Sequence, residues 1–162
     1  MRKRATYTSA LIAAGASLLL TMGTAPAAHA AGSDFWQYKN SKTGLCLDSD
    51  AKGNVYTKSC GSDNPYQKWE RAIHDGKVLL RNVATRRCLW VNPLEPADSQ
   101  LKTDPACANG MLWWQLVVDG TYRFVDPYSE KAVDSDAKGN AYAKGYGADN
   151  PYQQWNALAT SP

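Results

Sequence analysis

The chain has 162 residues, 44% of them hydrophobic, and carries 18 Lys+Arg against 15 Asp+Glu for a formal net charge of +3. Arg2, Lys3 and Arg4 supply the whole excess (18 − 3 = 15), so the rest of the chain is electrically balanced. That balance excludes the standing positive field on which nucleic-acid or anionic-membrane binding rests, and neither partner is expected.

Met1-Arg2-Lys3-Arg4 is a basic head, Ser9 to Met22 is an apolar run, and Ala28-His29-Ala30 is a small-x-small site. This order reads as a secretory signal over residues 1–30, cut after Ala30. The run is too short for a spanning helix, which needs about 20 apolar residues, so no membrane insertion is expected. Residues 31–162 are then expected to form one secreted, extracellular domain. A monomer is expected.

Within it, Gly, Pro, Asn and Asp clusters punctuate short apolar runs, the pattern of an all-β fold. Phe35 to Asn40 reads as a strand, followed by a turn over Asn40 to Gly44 and a strand at Leu45-Cys46-Leu47. Lys52-Gly53-Asn54 turns into Val55-Tyr56-Thr57, and Tyr66 to Glu70 closes the unit as a strand. A second unit opens at Lys77 to Asn82, passes through Cys88-Leu89, and closes at Leu112-Trp113-Trp114. There Trp90 stands in the place of Asp48, and Leu112 is aligned with Gln67. A third unit opens at Thr121 to Asp126 and ends at Trp155. Residues 133–155 repeat residues 47–69 with 16 of 23 positions identical. Three units of about 40 residues result, over about 34–72, 73–118 and 119–158. None can bury an apolar face alone, so the three should share one core about a pseudo-threefold axis. Trp69, Trp114 and Trp155 are the expected structural indoles, and Gln67 and Gln153 the expected braces of their loops.

The cysteines of this region are Cys46, Cys60, Cys88 and Cys107. In the third unit Ala132 and Tyr146 stand at the places of Cys46 and Cys60, so both partners are lost together. The expected disulfides are therefore Cys46–Cys60 and Cys88–Cys107, suited to an exported protein.

Two loops carry the same polar set: Asp48, Tyr56, Asn64 and Tyr66, and again Asp134, Tyr142, Asn150 and Tyr152. A carboxylate accepts from two neighbouring hydroxyls, an amide both donates and accepts, and a tyrosine offers an apolar face with a polar edge. Together they suit a sugar ring. Turn-capping explains Asp50 and Pro65, but less of Asp48, which directly follows a buried-looking strand.

Three units closing on Gln-x-Trp, with Cys-Leu-Asp near the second strand and paired cysteines, resemble the ricin-type (ricin B-like) β-trefoil lectins, in particular their actinohivin-like members. The resemblance covers residues 34 to 158 and implies a six-hairpin β-trefoil with one shallow sugar site per repeat. It maps the family's sugar-binding aspartate onto Asp48 and Asp134, its polar contact on the third strand onto Tyr56 and Tyr142, and its tyrosine before Gln-x-Trp onto Tyr66 and Tyr152. The family's asparagine falls on Asn64 or Asp63. Lys58 and Lys144 depart from the family by replacing a frequent stacking aromatic. The second repeat has neither the aspartate nor the glutamine, so its site is expected to be dead.

Other classes fit less. Asp48-x-Asp50-x-Lys52-Gly53 is similar to the start of a calcium loop, but it has Lys at the fifth position and Ser59 at the twelfth, so no metal or other cofactor is expected. His74 has no nucleophile motif around it, so no catalytic residue is assigned and an enzyme is not expected. A glycosidase would place two unlike carboxylates together once, whereas Asp48 and Asp134 are equivalent positions in different repeats. A protein-binding or protease-inhibitor trefoil would act through an exposed loop, for which Pro93-Leu94-Glu95-Pro96 is the candidate. Glycan binding at two sites, in repeats one and three, is the expectation.

Overall fold

In Lys77-Val78-Leu79-Leu80-Arg81-Asn82 every second side chain is buried, so this short run presents one apolar face and one solvated face. That alternation is the strand signature, and Gly- and Pro-rich turns keep such strands short. The computed structural model describes residues 35–95 and 98–160. The expected signal at 1–30 and Pro96 of the 93–96 insertion lie outside the described residues.

The first repeat contributes β1 (Phe35–Asn40), β2 (Cys46–Ser49), β3 (Val55–Lys58) and β4 (Trp69–His74). The second contributes β5 (Lys77–Asn82), β6 (Cys88–Trp90), β7 (Ser99–Gln100), β8 (Lys102–Asp104) and β9 (Trp114–Val118). The third contributes β10 (Thr121–Val125), β11 (Lys131–Ser135), β12 (Ala141–Gly145) and β13 (Trp155–Thr160). Among the described residues there is no α-helix.

Six strands close a ring. β1 pairs with β13 and β4, β4 with β5, β10 with β9 and β13, and the Val78–Trp113 bridge joins β5 to the start of β9. The β2–β3, β6–β8 and β11–β12 hairpins cover one end of the ring. They pair with one another through Asn54–Lys102, Tyr56–Asn140 and β7–β12. This is a β-trefoil, as the family resemblance implied, and its three repeats share one core as their sequences suggested. Gly53 and Gly139 permit the close approach of the hairpins. Their φ values are 90° and 92°, and an added Cβ would lie 2.7 Å from the Thr103 carbonyl and 2.9 Å from that of Thr57.

The core repeats with the same symmetry. Tyr38, Leu80 and Phe124 form one set, Leu47, Leu89 and Val133 a second, and Trp69, Trp113 and Trp155 a third. Each of these indoles donates to a second-strand carbonyl: Trp69 to Leu47 (3.1 Å), Trp113 to Leu89 (3.1 Å) and Trp155 to Val133 (3.0 Å). The placement of Trp114 as the second repeat's core indole is therefore corrected. Trp113 is 1% exposed and Trp114 is 40% exposed. The register moves by one residue with it, so Met111, not Leu112, stands at the position of Gln67. The closing strands also start later than expected. Pro65–Gln67, Asn109–Met111 and Pro151–Gln153 are single 3-10 turns, and the strands begin at or just after the tryptophans. Both expected disulfides are formed, Cys46–Cys60 and Cys88–Cys107.

Candidate functional site

Asp48 lies on β2, directly opposite Tyr56 on β3, and Asp134 lies on β11 directly opposite Tyr142 on β12. Directly opposed side chains in an antiparallel pair lie within contact reach, so each hairpin brings a carboxylate and a phenol to one face. Both aspartates are 2% exposed. Burying a carboxylate is costly without hydrogen-bond partners, and the following loop supplies them.

Asn64 is the N-cap of the Pro65–Gln67 turn. Its Oδ1 accepts from the Tyr66 amide (3.1 Å), and its Nδ2 donates to Asp48 Oδ2 (3.2 Å). Gln67 Nε2 donates to the same oxygen at 3.1 Å and to the Ser59 carbonyl at 3.0 Å. Gln67 Oε1 accepts from the Gly61 amide at 2.9 Å and from Gln37 Nε2 at 3.1 Å. The third repeat rebuilds this arrangement. Asn150 caps Tyr152 at 3.1 Å and donates to Asp134 Oδ2 at 3.0 Å, while Gln153 holds the Gly147 amide (2.8 Å) and the Gly145 carbonyl (3.0 Å). Of the two candidates for the asparagine position, Asn64 is the one that reaches Asp48.

The glutamines do brace the loops, but from the end of a 3-10 turn. They also hydrogen-bond to the aspartates, so their structural role extends to the site itself. Asp50 and Asp136 behave as turn caps. Each accepts from two backbone amides and from the side chain of Asn54 or Asn140. Those asparagine bonds hold both carboxyls below their ordinary value.

Burial, opposed by the Gln153 and Asn150 bonds, pushes the Asp134 carboxyl above its ordinary value. Burial and then the facing carboxylates push the Tyr56 and Tyr142 hydroxyls up. Asp48 Oδ1 is buried with no hydrogen-bond partner. The donor facing this carboxylate across the hairpin is the Tyr56 hydroxyl.

In the first repeat this geometry opens as a cleft of about 210 Å3 lined by Asp48, Asp50, Ala51, Tyr56, Lys58, Asn64 and Tyr66. Tyr66 is 40% exposed at its rim. Lys58 Nζ sits 4.8 Å from the centroid of the Tyr56 ring, so one face of that ring is covered by the residue that departs from the family pattern. Tyr56 and Tyr142 also both line a cavity of about 540 Å3 among the three hairpins, with Asn54, Asn140, Gln100 and Asp98. The cleft offers hydrogen-bond acceptors, amide donors and phenolic faces in a shallow bowl. Those groups match the hydroxyls and C–H faces of a polyhydroxylated ring. Among the described residues, no group of three or more His, Cys, Asp or Glu side chains is placed to hold a metal ion.

Sequence reasoning missed Gln37, whose amide ties Gln67 to the Gly61 carbonyl. It also missed Arg123 at the equivalent place on β10, which donates to the Ala148 carbonyl (3.2 Å). Each sits next to a core residue, Tyr38 or Phe124, and so on the strand face turned away from that core, where no local signal marks it. In the second repeat Trp90 replaces the aspartate, and Ala108 makes no side-chain cap for the turn at Asn109–Met111.

Residues 65–155 match the family model described as "Ricin-type beta-trefoil lectin domain-like". A search of curated protein sequences finds no match. Among solved structures, the chain is similar to the designed threefold-symmetric protein ThreeFoil, with TM-score 0.68 and 23% identity over 76% of this chain and 97% of that one. It is also similar to SeviL bound to asialo-GM1 saccharide, with TM-score 0.62 and 14% identity over 77% of this chain and 96% of that one. A third likeness is to the GlcNAcα1-4Gal-releasing endo-β-galactosidase from Clostridium perfringens. There the TM-score is 0.69 and identity 19%, over 79% of this chain but 33% of that one. At these identities the three structures support the fold alone.

Proposed function

The chain belongs to the ricin-type beta-trefoil lectin domain-like family, and from that premise we propose that it is a secreted, non-catalytic lectin with two glycan sites. One site is built on Asp48, Tyr56, Asn64 and Tyr66, the other on Asp134, Tyr142, Asn150 and Tyr152. The observation that carries this reading is the duplication itself: a buried aspartate, held through one oxygen by a turn-capping asparagine, recurs opposite a tyrosine in two repeats.

Binding works by hydrogen-bond exchange. A pair of sugar hydroxyls donates to the aspartate, the asparagine amide and tyrosine hydroxyl complete the polar contacts, and the exposed tyrosine packs on the ring's C–H face. A single shallow site of this kind is worth about 4 kcal/mol, or a Kd near 1 mM. Two sites on one rigid body raise retention on a polysaccharide by about a hundredfold or more. Repeating one pocket serves multivalent binding. The endo-β-galactosidase likeness covers a third of that enzyme's chain and brings no pair of unlike acids to this one. Secretion agrees with the two disulfides.

A glycan array of the wild type, Asp48→Ala, Asp134→Ala and the double variant tests the proposal. Weaker binding in each single variant and loss of most binding in the double variant is expected. A wild type that binds no glycan, or a double variant that binds as well as wild type, overturns it. A second reading has one observation behind it: Leu94 is 91% exposed at the tip of the second repeat's insertion. Under that reading the loop docks into a protein partner. Protease inhibition at nanomolar concentration, lost on deleting residues 93–96, would favour it.

A further inference from the structure

The three repeat junctions occupy equivalent places but are filled differently. Their register is fixed by three matching backbone hydrogen bonds, Gly44 to Asn40, Arg86 to Asn82 and Glu130 to Asp126, each 2.9 Å. All three donors hold a left-handed backbone, with φ of 70°, 60° and 54°. At the first junction Asn156 pairs across strands with Lys39, and Cys60 Sγ lies 3.6 Å from the Gly44 carbonyl. At the second, Glu70 opposes Arg81 and makes ion pairs with Arg81 and Arg86, while Cys107 Sγ lies 3.6 Å from the Arg86 carbonyl. Polar pairs and a disulfide thus close both.

At the third junction every one of these positions has changed character. Trp114 opposes Val125 across the strands, Tyr146 stands at the cysteine position with its amide on the Glu130 carbonyl (3.1 Å), and Ala132 replaces the partner cysteine. In place of a disulfide and charges there is an open groove of about 480 Å3, lined by Trp114, Leu116, Val125, Ser129, Glu130 and Tyr146 with Gly145. Its volume lies within the usual range for small-ligand pockets, about 300–1,000 Å3. Trp114 and Tyr146 are 40% and 38% exposed inside it.

We propose that this groove is a further saccharide subsite, separate from the Asp48 and Asp134 sites, that takes one pyranose ring against Trp114 and Tyr146. The rings, with Leu116 and Val125, supply an apolar floor for the sugar's C–H face. Glu130 is exposed and takes no part in an ion pair among the described residues, so its carboxylate accepts from ligand hydroxyls. Ser129 Oγ already donates to Asp126 Oδ2 (2.6 Å), which leaves its lone pairs to accept. A ligand with hydroxyls on one edge and C–H groups on its face satisfies both halves of the lining. A quaternary ammonium would also meet the two rings and the carboxylate, so it is the competing ligand in the test.

The test uses the Asp48→Ala/Asp134→Ala variant of the full domain, so that the outcome is independent of the two repeat sites. The indole N–H signals are followed by two-dimensional NMR during titration with methyl pyranosides of glucose, galactose, mannose and N-acetylglucosamine, and separately with tetramethylammonium. At least one pyranoside should give a saturable shift of the Trp114 indole, with the Trp113 signal unmoved as a report on the fold. Glu130→Gln should weaken that titration about tenfold, the effect of losing about 1.4 kcal/mol. No saturable Trp114 shift with any of the four pyranosides overturns the proposal, as does a shift with tetramethylammonium alone. An undiminished titration in Glu130→Gln overturns the orientation proposed for the ring.

Discussion

The second repeat keeps the trefoil architecture without the polar layer found in the first and third. Trp69, Trp113 and Trp155 make the same bond to a second-strand carbonyl, within 3.0–3.1 Å, and the same 3-10 turn precedes each of them. Yet Trp90, Ala108 and Met111 stand where repeat one has Asp48, Asn64 and Gln67. A turn that forms over an uncapped Ala108 shows that capping asparagine and bracing glutamine are not required to fold it. Their presence in the other two repeats then calls for another reason, and the buried carboxylate they hold supplies one.

The sharpest break of that comparison is in the shared layer. Trp69→Ala, Trp113→Ala and Trp155→Ala should each cost about 3–5 kcal/mol in chemical denaturation, because each removes a fully buried indole. Trp114→Ala should change stability by no more than about 0.5 kcal/mol, as expected of a surface substitution. A large loss at Trp114 and a small one at Trp113 would reverse the assignment of the core indole.

Next in size are the disulfides. Cys46 and Cys60 are 14 residues apart and Cys88 and Cys107 19 apart. Replacing either pair with alanine should cost about 3 kcal/mol on the chain-entropy estimate. The third repeat manages without one, so the variants should still fold, with a lower denaturation midpoint.

Gln67→Met makes the first repeat resemble the second at the bracing position. It leaves Asp48 Oδ2 with Asn64 alone and strips the Gly61 amide of its acceptor. The expected cost is about 1–3 kcal/mol, together with loss of glycan binding at the first site and none at the third. Equal loss at both sites, read by NMR titration, would mean that the sites are not independent.

The smallest effect is one of pH. Burial raises the Asp134 carboxyl above its ordinary value. A raised acid favours folding while protonated, so its contribution is present below the unfolded pKa and is lost as pH rises through the folded one. Ligand binding has the opposite sign, since sugar hydroxyls donate to the ionised form. Affinity at the third site should therefore fall as pH drops through that raised value, and Asp134→Asn should remove this pH dependence along with most of the affinity. Denaturation and titration against pH measure the two signs.

Much of this was legible in the sequence. The 16 identities between residues 47–69 and 133–155 exposed the repeat, and with it the cysteine pairing and the two polar sets. The hairpin register that sets Asp48 against Tyr56 and Asp134 against Tyr142 was not legible there, because alternation within a strand does not fix its pairing with the next. The second repeat was misread by one residue because Trp113 and Trp114 are adjacent and no glutamine marks the turn before them. Only the closed barrel distinguishes the inward indole from the outward one. Gln37 and Arg123 were missed for a related reason. They lie 24 and 25 residues from the carbonyls they hold, and nothing local in their strands marks a bracing role. The groove at Trp114 and Tyr146 was invisible until the third junction could be compared with the other two.

The central claim is that the aspartate-centred sugar site is present in repeats one and three and absent from the equivalent place in repeat two. Backbone amide NMR during titration with a bound monosaccharide tests it directly. Apart from the groove at Trp114 and Tyr146, two separate clusters of shifts are predicted, one over Asp48, Tyr56, Asn64 and Tyr66 and one over Asp134, Tyr142, Asn150 and Tyr152. The equivalent places in repeat two, Trp90 and Ala108 to Met111, should stay still. Shifts at Trp90 and Met111, or none at Asp48 and Asp134, would contradict the account.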